Sequence, residues 1–203
     1  MIQVPSYFED FNYIEKYDTL VEDTSQGKKH ILRGVLSRIN TPNKNKRVYP
    51  KQVMEECIKG LQPLIESRGF VGELDHPPTP KVNIRGISHV ITKISLAPDG
   101  AIIGEMEALD TESGRDLKKL MEAHIRLGVS TRGMGQVKPY DGPLGEGLVM
   151  VQPGYKMKAI DIVFDPSAGT YPTQVVEDTD MNILLGGTAS FSHVWEDIFG
   201  GNE

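Results

Sequence analysis

LGVSTRGMG, residues 127–135, sets a serine two positions beyond Gly128 and follows it with Gly133 and Gly135. A helical pattern runs into it, because Leu117, Leu120, Met121 and His124 recur at spacings of three and four before a glycine that can stop a helix. A serine held between a helix stop and a glycine-rich turn has ordered neighbours while backbone N–H groups around it stay free. That setting suits a nucleophilic serine, and it is also how any tight turn reads. Ser130 therefore acquires a chemical meaning only from a base and an orienting group elsewhere in the chain.

Working outward towards the N-terminus, Asp110–Gly114 is a turn, and Ser113 with Asp116 three places on forms an approximate capping box for a helix over Arg115–Leu127. Before it, Asn83–Leu96 alternates as a strand, with Ile87, His89, Ile91 and Lys93 on one face, and Pro98-Asp99-Gly100 turns it into a second strand over Ala101–Met106. VGELDHPP, residues 71–78, runs into paired prolines, which stops the chain sharply beside Asp75 and His76. Pro50 opens a helical stripe of Val53, Cys57, Ile58, Leu61, Leu64 and Ile65, which Gly60 and Pro63 are expected to kink or divide. HILRGVLSRI, residues 30–39, is a first core strand, followed by a polar basic loop over 41–49 with Lys44, Lys46 and Arg47. Residues 1–26 carry Tyr7, Phe8, Phe11, Tyr13 and Tyr17 among acids, as a packed strand or short helix or as an arm.

Towards the C-terminus, residues 136–147 read as a loop, Gly147–Val151 as a short strand, and Tyr155–Phe164 as a longer one. On that last strand Asp161 shares a face with Met157, Ala159 and Val163. An unpaired carboxylate is expensive to bury, so Asp161 either faces water or has a dedicated donor. From Gly169 the composition turns polar, with Phe191, Trp195 and Phe199 at four-residue spacing near the end.

Composition removes several classes. The net charge of −6 argues against a general binder of phosphate backbones, and no specific nucleic-acid partner is expected. One cysteine excludes an intrachain disulfide framework, and Cys57 is read as a small core residue. No apolar run approaches the ~18 residues of a membrane span, so no membrane partner is expected. There is no HExxH, no paired cysteines, no phosphate-binding glycine loop and no dinucleotide fingerprint, and no cofactor or metal is expected. What remains is one serine, His76 and His89 near strands, and one awkward acid. These can supply a nucleophile, a base and an orienting group if the order of elements brings them together.

GELDHP at 72–77, SHVI at 88–91, LDTESGRDLKKL at 109–120, LGVSTRGMG at 127–135 and DIVFDPS at 161–167, with NTPNKNKRVYP at 40–50, resemble in order the prohead core proteases of T4-like tailed phages. The resemblance spans roughly residues 30–168, which it marks as the protease domain, leaving 1–29 as an N-terminal arm or docked segment and 169–203 as an extension open to processing. It implies a mostly β fold with surrounding helices (α+β), a closed antiparallel β-barrel of the herpesvirus assemblin type. It implies serine proteolysis of scaffold or core proteins and the major capsid protein, inside the prohead in the host cytoplasm, with a homo-oligomer also open. Carried over residue by residue, Ser130 matches the nucleophile and His76 the general base. Asp161 occupies the place of the third member, which is a histidine in the herpesvirus enzymes. The backbone N–H groups of Arg132 and Gly133 stand in for an oxyanion site that those enzymes build with later arginines. His89 takes a supporting structural role. The alternative is a catalytically inactive assembly protein that keeps a protease-like fold.

Overall fold

The computed structural model describes residues 6–13, 17–24, 27–75, 77, 79 and 81–163, with side chains at 20–22 and from 28 on. In chain order these form β1 (Ser6–Tyr13), β2 (Tyr17–Thr24), β3 (Gly27–Arg38), β4 (Arg47–Val48), α1 (Lys51–Glu66), β5 (Val71–Glu73), β6 (Ile87–Leu96), β7 (Ala101–Ala108), α2 (Glu112–Glu122), β8 (Gly128–Gly135), β9 (Val137–Gly142), β10 (Gly145–Val151) and β11 (Lys156–Val163). The mostly β composition with few helices agrees with the α+β expectation.

The closed barrel does not. The strands make three open sheets, ordered β2-β3-β7-β6-β5, β1-β8-β11 and β4-β10-β9. Closure would need a continuous hydrogen-bonded ladder from β5 to β11. β5 is only three residues long, and Pro77, Pro78 and Pro80 after it have no N–H to donate to a ladder. Among the described residues the backbone pairing at the seam between the two sheets is a single parallel bridge, Leu74 to Ile162. Side chains make the rest of that seam.

The apolar periodicities do what they predicted, with altered limits. α1 is continuous despite Pro63, which sits in its last turn and still offers its carbonyl to the Ser67 N–H at 3.1 Å. Its buried face is Val53, Met54, Cys57, Ile58, Leu61 and Ile65, and Leu64 points outward. These side chains join one core cluster with Leu32 and Leu36 of β3, Ile91 and Ile94 of β6, Ile102 and Met106 of β7, Leu117 and Met121 of α2, and Ile160 and Ile162 of β11. Each such side chain contributes ~1.5–3 kcal/mol on burial, so this one core holds both larger sheets.

The β6–β7 hairpin turns where expected, with Gly100 at φ +86°. Three irregularities break the simple alternation of the five-stranded sheet, between Val35 and Ser37 on β3, between Ile91 and Lys93 on β6, and between Gly72 and Glu73 of β5, which pair with His89 and Ile87. α2 starts and stops earlier than its sequence pattern. Its cap is Thr111, whose Oγ1 accepts the Gly114 N–H at 3.0 Å and donates to the Ile87 carbonyl at 2.5 Å. At its end His124 enters the left-handed region at φ 53° and is exposed, so Gly128 is left for a strand. The expected loop at 136–147 is mostly the β9–β10 hairpin. β1 and β2 give residues 6–13 and 17–24 an extended backbone, paired with β8 and β3 respectively.

Candidate active site

Residues 128–135 are not a turn. They form β8, the middle strand of its sheet, with β1 on one edge and β11 on the other. Among the described residues the positive-φ glycines are Gly100, Gly145, Gly147 and Gly154, so the glycines of β8 do not supply turn geometry. Gly133 supplies room instead, since a Cβ there would collide with the Tyr155 ring.

Alternation along β8 puts Ser130 and Arg132 on one face, and the register sets Asp161 of β11 directly opposite Ser130. All three residues are 0% exposed. The donor that a buried Asp161 requires is therefore identified. Its Oδ1 accepts from Arg132 Nη2 at 2.8 Å and from the Glu73 backbone N–H at 3.0 Å. Its Oδ2 lies 2.6 Å from Arg132 Nε, a charge contact with the N–H directed off the line between them.

Arg132 serves more than Asp161. Its Nη2 donates to Glu73 Oε2 at 2.5 Å, and its Nη1 to the carbonyls of Thr79 and Lys81 at 2.9 and 3.1 Å. Glu73 in turn accepts the Asn83 N–H on Oε1 at 3.1 Å. Burial opposes the arginine's charge, but the hydrogen bonds and charges of Asp161 and Glu73 outweigh it and hold its pKa above the ordinary guanidinium value. The result is a buried cluster of two carboxylates on one guanidinium.

Ser130 Oγ is buried and has no hydrogen-bond partner among the described residues. His76, the expected base, lies outside the described residues. Asp75 just before it has φ 65° and donates its N–H to the Ile162 carbonyl at 2.8 Å, so the chain reaches position 76 from beside β11. The amides of Arg132 and Gly133, expected as oxyanion donors in a turn, belong to the β8 strand, opposite an irregularity of β11 between Met157 and Ala159.

His89 takes up a structural post between the sheets. Its Nε2 lies 2.9 Å from the Ile160 carbonyl, which can only accept, so Nε2 carries the proton. Nδ1 is then the acceptor for the Ser88 hydroxyl at 2.8 Å. Burial is the main cause that lowers its pKa to about 4, against smaller raising effects from the Ile160 bond and Asp161. The ring passes beneath β5 only because residue 72 is glycine, since a Cβ there would strike the ring and the Ile160 carbonyl.

Glu73 and the side chain of Arg132 escaped the sequence reading. The available signal was an acid inside the short strand VGEL and an arginine among the small residues of LGVSTRGMG. Together with Asp161, these are charges on segments that are otherwise apolar or small. Among the described residues no cluster of His, Cys, Asp and Glu is arranged to hold a metal ion. His193 and the aromatic residues near the C-terminus lie outside the described residues.

The model of the family described as prohead core protein serine protease matches residues 16–181 of the chain. The prohead core protein protease of Enterobacteria phage T4 is 28% identical over 143 residues, which is 68% of this chain. The match spans 64% of that curated relative's length. The solved structure of the bacteriophage T4 capsid assembly protease superposes with a TM-score of 0.71 at 21% identity, covering 80% of this chain and 100% of that one.

Proposed function

Because the chain belongs to the family of prohead core protein serine proteases, we propose that it is a serine endopeptidase that cleaves internal scaffold and capsid proteins during phage head maturation, inside the prohead. Ser130 is the nucleophile in this reading. His76 takes its proton as the hydroxyl attacks the peptide carbonyl, because serine is a poor nucleophile at neutral pH. Asp161 fixes the imidazole tautomer and stabilises the imidazolium. The amides of Arg132 and Gly133 are the candidate donors to the developing oxyanion, at the point where β8 faces the irregularity of β11 and its ladder is interrupted. His76 then returns the proton to the leaving amine, and water repeats the cycle on the acyl-enzyme. Residues 30–168 form the protease domain, and the extension from 169 is a segment that the enzyme trims.

One observation carries the reading. The Ser130 hydroxyl is buried without a hydrogen-bond partner among the described residues, on the strand position opposite Asp161. An unsatisfied buried polar group costs ~1–3 kcal/mol, and such a cost asks for an explanation such as a catalytic role. A non-catalytic assembly protein of the same fold is the second reading, favoured by the complete burial of Ser130. Purified wild-type and Ser130→Ala chains incubated with phage scaffold protein separate the two. The protease reading expects cleavage by the wild type only, at matched thermal stability. Normal turnover by folded Ser130→Ala removes Ser130 as the nucleophile, and absence of cleavage from both favours the second reading.

A further inference from the structure

We propose that the Arg132 side chain is the positioning residue of this site, tying the segment between β5 and β6, which contains position 76, to the strands that carry Ser130 and Asp161. The proposal rests on the protease reading above.

In the segment 74–86, none of the described residues belongs to a helix or a named strand. Among its described residues, several hydrogen bonds anchor it to the body. Asp75 N–H bonds the Ile162 carbonyl, Asn83 N–H bonds Glu73 Oε1, and the carbonyls of Thr79 and Lys81 both accept from Arg132 Nη1. The other face of the same guanidinium holds Glu73 at the root of the segment and Asp161 opposite Ser130. One planar fork thus fixes the segment's start, its middle and the carboxylate beside the nucleophile. A lysine could not do this, because an ammonium on a flexible stem is a point charge and cannot span acceptors in several directions.

The carboxylates point the same way. Glu73 at the root of the segment and Asp161 opposite Ser130 are bound by the same buried guanidinium, so the two cannot move apart without breaking a buried ion pair.

The test compares full-length wild type, R132K, R132M and the E73Q/R132M double variant in three measurements. These are thermal stability, amide hydrogen exchange over 74–86, and cleavage of phage scaffold protein with labelling of Ser130 by a fluorophosphonate probe. R132K is expected to fold, to exchange faster over 74–86 than the wild type while core strands keep their protection, and to lose ~10²-fold in kcat with little change in KM. The double variant removes one charge of each sign. It is expected to be more stable than R132M yet as slow as R132K, which a merely structural arginine would not predict. Wild-type kcat in R132K, or recovery of activity together with stability in the double variant, overturns the proposal alone. A wild-type chain that neither takes the label at Ser130 nor cleaves the scaffold protein removes the protease reading and this proposal with it.

Discussion

Ser130 and Asp161 are Cα partners across the antiparallel β8–β11 ladder, and neither has any exposed surface. Directly opposed residues of an antiparallel pair project to the same face. Asp161 therefore stands beside the serine while its oxygens are engaged with Arg132 and the Glu73 amide. A substitution at Asp161 has two effects, one on the ion cluster and one on chemistry at the serine.

Asp161→Asn is expected to cost ~1–3 kcal/mol of stability, because the charge-assisted bonds from Arg132 to the carboxylate are lost or weakened while Glu73 still compensates the guanidinium. At a temperature where the variant is folded, turnover should also fall, by as much as ~10⁴-fold if the carboxylate orients the base. His89→Gln should keep far more activity, since its ring bonds the Ile160 carbonyl and Ser88. Denaturation curves and scaffold cleavage at matched folded fraction check both. The reverse ranking would remove Asp161 from the orienting role.

Gly72→Ala should destabilise the chain by about 3 kcal/mol, as overpacking in a filled site does. The added methyl meets the His89 ring and the Ile160 carbonyl, and neither can retreat without breaking the bond between them. Urea unfolding gives the number. A neutral result would mean that the seam between β5, β6 and β11 is looser than the packing described above.

Stability should fall as the pH drops through the range set by His89. Its folded-state pKa of about 4 lies below the ordinary 6.5, so the unfolded chain binds this proton more readily. The contribution is fully present above pH 6.5 and is lost progressively as the pH falls towards 4, on the order of 3 kcal/mol in all. Comparing the wild type with His89→Gln at each pH isolates this group from the other titrations. Parallel curves for the two proteins between pH 6.5 and 4 would contradict it.

Thr111→Ala should lose ~1 kcal/mol as an N-cap substitution does, with a further loss from the bond to Ile87. Ser113→Ala should change stability by less than ~0.5 kcal/mol, because Ser113 is only half-buried and its hydroxyl only reaches the Arg85 carbonyl at 3.4 Å. Thermal melts of the two variants distinguish the observed cap from the one suggested by the sequence pattern.

These variants also mark where the chain was legible. Long periodic segments read correctly as elements, because a stripe such as Val53, Cys57, Ile58, Leu61 and Ile65 is imposed by the core it buries. Element ends were misread where a local rule competed with tertiary contact. Thr111 won the cap because it alone also bonds β6, and the glycines of β8 read as turn residues although they serve packing within a sheet. The sequence flagged Asp161 as an acid in need of a donor, but the donor is 29 residues away and Glu73 is 59 residues from that same arginine. Spacing along the chain carries no trace of such partners. Barrel closure was equally invisible, since it depended on whether a three-residue strand could continue a ladder.

The separations within the ion cluster also set a timetable for the chain's own synthesis. The Glu73 amide and the Asp161 carboxylate are 88 residues apart, and Asp161 lies on the last described strand. A growing chain that has released β8 from the ribosome but not yet β11 holds the serine strand without the strand that flanks its carboxylate edge. Until β11 arrives, the arginine has Glu73 but not Asp161, and the seam to β5 cannot form. Contacts of such long range come late in folding. The cluster is thereby withheld from every translation intermediate that has not yet released β11.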